Sequence, residues 1–242
     1  MNQFEKIYNE AKRDIWFRRF AVFCRIVLAA SFIPTGFVKI MGERFAEGLP
    51  ANNPLGHYFD ALHTTGYYYT FIGVVQLLIA VLLLIPRTAV LGALMYFPVI
   101  VNITVLTYAT RFDGTRLVTM MLLASTFLLI WYYDRLKSLV PLKQPDVDPP
   151  VVSSSSMTRL RIFFFGGCFA LLTMIIAGTF YLWNIVPGNS EEVCRNQCPS
   201  SENSEACQSF CDCIYLQGKT LDSCLNSFKE YDSKDARRNF SD

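Results

Sequence analysis

Long runs of apolar residues alternate with short polar stretches along most of this 242-residue chain. Four of the runs approach or exceed the roughly 20 residues that an α-helix needs to cross the hydrocarbon core of a bilayer, and a fifth reaches that length when its flanks are included. We therefore predict about five membrane spans, at residues 20–40, 68–85, 88–108, 117–133 and 162–186.

The first run follows a charged N-terminal segment, which is also how a signal peptide begins. This run is too long for a signal peptide, contains Arg25 and Pro34, and is not followed by a small-residue cleavage site. We interpret it as a retained first span, in which Arg25 snorkels to the nearby interface.

The composition agrees with a membrane protein, because 52% of the residues are apolar, 14% are aromatic and only 17% are charged. The formal net charge of +2 indicates no particular partner. We expect the lipid bilayer and other membrane or periplasmic proteins as partners, and no nucleic acid.

Basic residues predict the orientation, because short loops rich in lysine and arginine remain in the cytoplasm. The N-terminal segment and the linker before the fifth span are basic, whereas the loops of opposite parity carry fewer such residues. The N-terminus is therefore predicted to be cytoplasmic, and an odd number of spans places the C-terminal tail outside. The deciding residues are Lys6, Lys12, Arg13, Arg18 and Arg19, then Arg135, Lys137, Lys143, Arg159 and Arg161.

A proline-rich stretch followed by four serines, within residues 141–158, disfavours a helix and marks a boundary. The predicted fold is all-α: a membrane four-helix bundle, a fifth transmembrane helix and a small disulfide-stapled helical tail. The five segments are a cytoplasmic N-terminal segment (1–19), the bundle (20–137), a cytoplasmic linker (138–161), the fifth span (162–186) and the extracytoplasmic tail (187–242).

Six of the eight cysteines lie in the tail, which agrees with an oxidising compartment. Cys194 and Cys198 are four residues apart, as are Cys207 and Cys211, and this spacing places each pair on one face of a helix. Two antiparallel helices would then be joined by the disulfides Cys194 to Cys211 and Cys198 to Cys207. The arrangement resembles the twin CX3C hairpin of small oxidised proteins in the mitochondrial intermembrane space.

A third helix is predicted to follow, with Gly218 ending the second helix and Thr220 capping the third. A disulfide from Cys213 to Cys224 would tie this helix back. Six cysteines allow fifteen connectivities, so the pairing is a hypothesis from helical geometry. We expect structural staples, because the tail is too small for a large core. A zinc site using Cys211 and Cys213 is the alternative, and a redox-active dithiol would favour a Cys-x-x-Cys pair, which the tail lacks.

Polar side chains at membrane depth are costly and usually have a partner or a function. Gln76 and Asn102 lie about 13 Å and about 9 Å inside the outer ends of their spans, at 1.5 Å of rise per residue. They could hydrogen-bond to each other and aid packing. Alternatively, they belong to a polar pocket at the outer mouth of the bundle. Its candidate residues are Lys39, His57, Gln76, Asn102, Asp113 and Arg116, with Glu43, His63 and Arg111 beside them.

No set of residues specifies a reaction. The chain has no convincing serine, histidine and carboxylate set, phosphate loop or dinucleotide-binding glycine pattern. His57 and His63, six residues apart in one loop, do not form the facing pair that a membrane haem requires. We predict no metal site, and whether the protein is an enzyme stays open.

Two short stretches resemble the DoxX-like family of small four-span membrane proteins. The first is PTGFVK at residues 34–39, which ends span one before a long external loop. The second is the apolar run that closes with IPRT at residues 85–88 and continues with LGA at residues 91–93. The resemblance covers roughly residues 20–137, and the fifth span and the cysteine-rich tail depart from the four-span pattern.

Members of that family are linked to redox chemistry at the membrane, including a subunit of a thiosulfate:quinone oxidoreductase. The resemblance therefore implies a quinone-linked role, with Lys39, Gln76 and Asn102 as the positions carried over. It also implies a bacterial inner membrane with a periplasmic tail, and a mitochondrial inner membrane is the alternative.

Three functional hypotheses follow. The first is an accessory subunit of a larger membrane complex that docks an external partner through its tail. The second is a quinone-linked oxidoreductase subunit that receives electrons from a partner. The third is a small-molecule channel or transporter, for which Pro34 and Pro98 inside spans are weak support because paired broken helices would be expected.

Overall fold

The computed structural model describes residues 3–139, 154–201 and 203–238, and every regular element in these ranges is helical. A short 3₁₀ turn covers Cys198–Ser200. The α-helices are α1 (Gln3–Arg13), α2 (Ile15–Ile40), α3 (Pro54–His63), α4 (Tyr67–Leu84), α5 (Ala89–Ala109), α6 (Thr115–Trp131), α7 (Tyr133–Leu139), α8 (Ser154–Leu182), α9 (Glu191–Asn196), α10 (Ser204–Tyr215) and α11 (Leu221–Arg238).

Four of the described helices are long and apolar enough to cross a membrane. They are α2, α4, α5 and the Thr158–Leu182 part of α8. Helix α6 is also apolar but has only 17 residues, which is slightly short of a full span. The predicted all-α membrane fold is confirmed, with α6 as the shortest of the five predicted spans.

Two helices differ in length from the predicted spans. Helix α2 begins at Ile15, not at residue 20, because the Asp14 side chain caps it by accepting a hydrogen bond of 2.7 Å from the Trp16 amide. Helix α8 begins at Ser154, within the serine run expected to disfavour a helix, and ends at Leu182, not at residue 186. Serine is tolerated at a helix N-terminus, where its hydroxyl can bond to backbone groups. Residues 140–153 of the predicted linker lie outside the described residues.

The bundle is a closed ring of four helices, in which α2 packs on α4, α4 on α5, α5 on α6, and α6 on α2. The ring of Tyr96 stacks on Phe32 with 4.1 Å between centroids, and its hydroxyl lies 3.1 Å from that of Ser31. Buried side chains in the core of the bundle include Leu28, Phe32, Ile79, Leu83, Tyr96, Ile100 and Leu128.

Helices α2 and α4 cross in backbone contact at Gly36 and Gly73. A Cβ atom on Gly73 would lie 2.7 Å from the carbonyl oxygen of Gly36 and 2.9 Å from Cβ of Lys39. No residue with a side chain fits at Gly73 without moving a helix. Glycine at this crossing therefore sets the distance between the two helices, as small residues do in membrane bundles.

Helix α8 is attached to the bundle at its two ends. At the N-terminal end, Arg161 forms an ion pair with the buried carboxylate of Asp14, and Phe164 packs edge-on against Phe17 at 4.9 Å. At the opposite end, Arg116 donates to the Thr179 hydroxyl at 3.1 Å. Between these attachments the side chains of α8 are mostly exposed.

The tail folds into a small helical module with three disulfides. The bonds are Cys194–Cys211, Cys198–Cys207 and Cys213–Cys224, the same three pairs that helical spacing predicts. Phe210, Ile214 and Phe228 complete its core. All six sulfur atoms are in disulfides, so the close group of Cys198, Cys207 and Cys211 has no free thiolate for a metal.

Candidate functional site

The six residues predicted to form one polar pocket lie in different environments. Lys39 and Gln76 are each only 5% exposed, whereas His57, Asn102 and Asp113 are exposed and Arg116 is half-buried. Five of them lie towards the end of the bundle that carries the tail, which we call the tail end, whereas Gln76 lies at the middle of α4. Lys39 and Gln76 are buried separately, Asn102 lines a groove, Asp113 and Arg116 lie near α8, and His57 is exposed on α3.

Lys39 is a buried cation near the end of α2. Its ammonium group donates to the carbonyl oxygen of Thr35 at 3.0 Å and lies 4.3 Å from the ring centroid of Phe45 and 5.9 Å from that of Tyr69. Among the described residues no carboxylate pairs with it. Contacts between a desolvated ammonium and ring faces are attractive, so Lys39 attaches the loop after α2 to the bundle.

Gln76 lies in the helix interface, one turn along α4 from Gly73 and on the same face. Its Oε1 atom is buried without a hydrogen-bond partner among the described residues. No hydrogen bond joins it to Asn102, so the predicted pairing of these two side chains is not formed. An unpaired buried carbonyl oxygen is costly, and it marks the least satisfied point of the α2–α4 interface.

Asn102 lines a groove on the outer surface of α5, with a volume of about 700 Å³. The groove runs from Phe97 to Ala109 along α5, and Tyr58 of α3 lines it as well. Its lining contains no charged side chain and includes none of the other five candidates. The carboxamide of Asn102 has no hydrogen-bond partner among the described residues, although it lies on a membrane span.

Arg111 and Arg116 connect the bundle to α8 and to the tail. Arg111 adopts a left-handed backbone conformation, with φ of 51°, and donates to the carbonyl oxygen of Ile185 at 3.1 Å. The guanidinium of Arg116 also lies 3.9 Å from the ring centroid of Phe180. Burial lowers the pKa of Arg111, and it raises that of Asp113 against the opposing effect of Arg116. Both arginines therefore join the bundle to α8 or to the segment that follows it.

The two histidines belong to the long loop between α2 and α4. His57 is exposed on α3, whereas Nε2 of His63 lies 2.8 Å from the carbonyl oxygen of Gly42. Helix α3 in this loop is capped by the Asn53 side chain, which accepts a hydrogen bond from the Leu55 amide at 3.0 Å. Neither histidine meets a second one as a haem pair would.

The contact between the tail and this loop was not predicted from the sequence. The Asn53 amide donates to the hydroxyl of Tyr215 at 3.3 Å and to the carbonyl oxygen of Gly188. The Asn52 amide donates to the carbonyl oxygen of Tyr215 at 2.9 Å, and the Tyr215 hydroxyl donates to that of Pro187 at 2.6 Å. The tail is therefore fixed to the tail end of its own bundle. Asparagine is a common residue at a helix N-cap, but this preference does not predict that Asn53 also bonds to Tyr215.

Replacing Tyr215 with phenylalanine should weaken this attachment. Burial raises the pKa of Tyr215, so the phenol is protonated and donates, and its loss leaves the buried Pro187 carbonyl unpaired. We expect the free energy of unfolding to fall by about 1–3 kcal/mol, measured as a lower thermal midpoint in detergent. Tyr231→Phe is the matched control, because Tyr231 is exposed. Equal midpoints for both variants would contradict the assigned role.

Comparison with known proteins gives one informative relative. No family model and no solved structure matches the chain. The uncharacterized protein YwoB of Bacillus subtilis (strain 168) is 38% identical over 130 residues, which cover 51% of this chain and 82% of the relative. The chain belongs to the YwoB family. Membership assigns no activity, so any function for this YwoB relative must be argued from its own geometry.

Proposed function

We propose that the protein is an accessory subunit of a larger membrane complex and that its tail docks a protein partner outside the cytoplasm. The observation that carries this proposal is the tail module, held on the bundle by Asn52, Asn53 and Tyr215. The module exposes the apolar side chains of Val193 and Leu216. A rigidly presented surface loses little entropy on binding, and apolar side chains form the centre of protein interfaces.

Helix α8 gives further support, because a membrane-embedded partner could pack on it. Most of its side chains are exposed between its two attachments. A Cβ atom on Gly166 would meet nothing within 4 Å. Small residues allow a neighbouring transmembrane helix to approach closely.

The proposed location is a bacterial cytoplasmic membrane, with the N-terminus inside and the tail outside. Basic residues collect at the end of the bundle opposite the tail, as the positive-inside rule requires of a cytoplasmic side. The three disulfides fit an oxidising compartment. The bacterial origin of YwoB agrees with this location.

Affinity purification of the full-length chain from its own membrane in a mild detergent should test the subunit role. We expect a protein partner in stoichiometric amount and about a tenfold lower recovery with Leu216→Asp, the effect of losing one interface side chain worth ~1.4 kcal/mol. Asn226→Asp is the control, because it adds the same charge at another exposed position of the module. A monomer that retains no partner, or equal recovery with both variants, would contradict the proposal.

A quinone-linked role is the second candidate, and the groove at Asn102 favours it. The groove offers an apolar surface beside the Asn102 amide and the Tyr58 side chain, as a quinone with an apolar tail would require. We also propose that residues 20–137 belong to the DoxX-like family. Quinone extracted with the purified protein would support this candidate, and its absence under gentle extraction would count against it.

A further inference from the structure

The depth of Asn102 in the membrane is the first step towards identifying what occupies its groove. Helix α5 has 21 residues and is therefore about 31 Å long, close to the thickness of a hydrocarbon core of ~30 Å. Asn102 lies seven residues before its last residue, Ala109, which corresponds to about 10 Å of rise. Its amide is thus well inside the hydrocarbon region, below the level of lipid headgroups.

The side chain of Asn102 is exposed there without a partner among the described residues. A carboxamide in hydrocarbon is unfavourable unless it is hydrogen-bonded. Thr104, two residues further along the same helix, avoids this cost by donating to the Ile100 carbonyl at 2.7 Å. Asn102 makes no such bond, so its donor is left for a molecule in the groove.

The lining of the groove restricts the chemistry of that molecule. It contains no lysine, arginine or histidine that would recognise a phosphate and no carboxylate that would recognise an amine. Phe97, Val101 and Val105 instead provide an apolar strip beside Asn102. From Phe97 to Ala109 the strip extends for about 18 Å, which accommodates an alkyl or isoprenoid chain. The lining therefore favours a molecule that is uncharged, mostly apolar and able to hydrogen-bond to the Asn102 carboxamide.

We propose that the groove binds a lipid-soluble carbonyl compound, whose carbonyl oxygen accepts a hydrogen bond from the Asn102 amide while its apolar tail lies along Val101 and Val105. A phospholipid fits less well, because its ester groups lie near the boundary of the hydrocarbon core and its phosphate would find no basic side chain. This carbonyl-binding site does not depend on the proposed docking of a protein partner. It rests on the proposed quinone-linked function only where the ligand is given a redox role.

A photoreactive ketone tests the site directly. The probe is benzophenone with a decyl tail, whose carbonyl is both the hydrogen-bond acceptor and the group that crosslinks to nearby C–H bonds under ultraviolet light. The full-length protein in phosphatidylcholine nanodiscs should show saturable labelling, mapped by mass spectrometry to residues 97–109. Phosphatidylcholine is in large excess, so labelling also measures preference over a phospholipid.

Asn102→Leu should weaken probe binding about threefold to fifteenfold, the range expected for one hydrogen bond inside a membrane. Thr173→Val is the matched control, because Thr173 is an exposed polar residue on α8 that bonds to the Phe169 carbonyl of its own helix. Val105→Phe keeps the amide but fills the apolar strip, and it should abolish saturation. Circular dichroism checks that each variant is folded.

Labelling that does not saturate, spreads evenly over the exposed helix faces or is unchanged in Asn102→Leu would overturn the site. Saturable labelling in the groove supports it. Competition by decylubiquinone then distinguishes the carbonyl-binding groove from the quinone-linked function. Displacement would support both, whereas failure to displace would overturn the quinone-linked function and leave the carbonyl site in place.

Discussion

Replacing Gly73 with leucine is expected to lower the free energy of unfolding by about 3 kcal/mol, the upper end of the ~1–3 kcal/mol that overpacking typically costs, because the clash is with backbone. The new side chain would begin 2.7 Å from the backbone oxygen of Gly36. A backbone atom cannot rotate away as a flexible side chain can, so α2 and α4 must separate. Denaturation in increasing concentrations of sodium dodecyl sulfate, followed by circular dichroism, measures the loss.

Gly166→Leu is the matched control for this substitution. It makes the same change inside a span, at a site where a Cβ atom meets nothing within 4 Å. We expect a change within about 0.5 kcal/mol, as for most exposed positions. If Gly73→Leu were no more destabilising than Gly166→Leu, the close crossing at Gly36 and Gly73 would be wrong.

Replacing both Cys194 and Cys211 with alanine should release α9 from the tail module. This disulfide joins residues 17 apart in the chain, and closing a loop of that size contributes about 3 kcal/mol. Helix α9 has only six residues, far below the length at which a helix is stable alone. Limited proteolysis with mass spectrometry should find new cleavage between residues 189 and 203, while the membrane helices stay protected.

Cys168→Ala provides the comparison for the disulfide variant. Cys168 is a free, exposed cysteine on α8, so its loss should leave the proteolytic pattern unchanged. Hydrogen exchange at the amides of α9 gives a second measure, and these amides should exchange faster only in the disulfide variant. Unchanged exchange and cleavage would mean that the other two disulfides alone hold α9 in place.

The attachment of the tail to its own loop changes how partner docking is understood. The sequence does not predict this attachment, in which the contacts of Asn52 and Asn53 hold the tail module at one end of the bundle. A partner that binds the module would therefore contact a surface fixed relative to the membrane. Loosening the module by Tyr215→Phe would then affect partner recovery through mobility as well as stability.

The environment of a polar residue inside a span could not be predicted from the sequence, as Arg25 shows. Arg25 was expected to snorkel to the interface, but it is buried and donates to the carbonyl oxygens of Leu83 and Leu84, each at 2.7 Å. These carbonyls end α4 and lack partners within their own helix. The unsatisfied end of a neighbouring helix is a better site for a guanidinium than the interface, and its position follows only from packing.

The sequence by itself determined the membrane class, the approximate spans and the disulfide pairs. Each of these depends on local regularities, namely the length of an apolar run and the four-residue spacing of cysteines. The tertiary structure decided which side chains meet. The spans are apolar on nearly every side, so hydrophobic periodicity does not indicate which face of a helix is buried. For this reason the sequence could not place Gln76 in the helix interface and Asn102 in the groove. The bond between Asn53 and Tyr215 joins residues 162 positions apart, and only the folded chain brings them together.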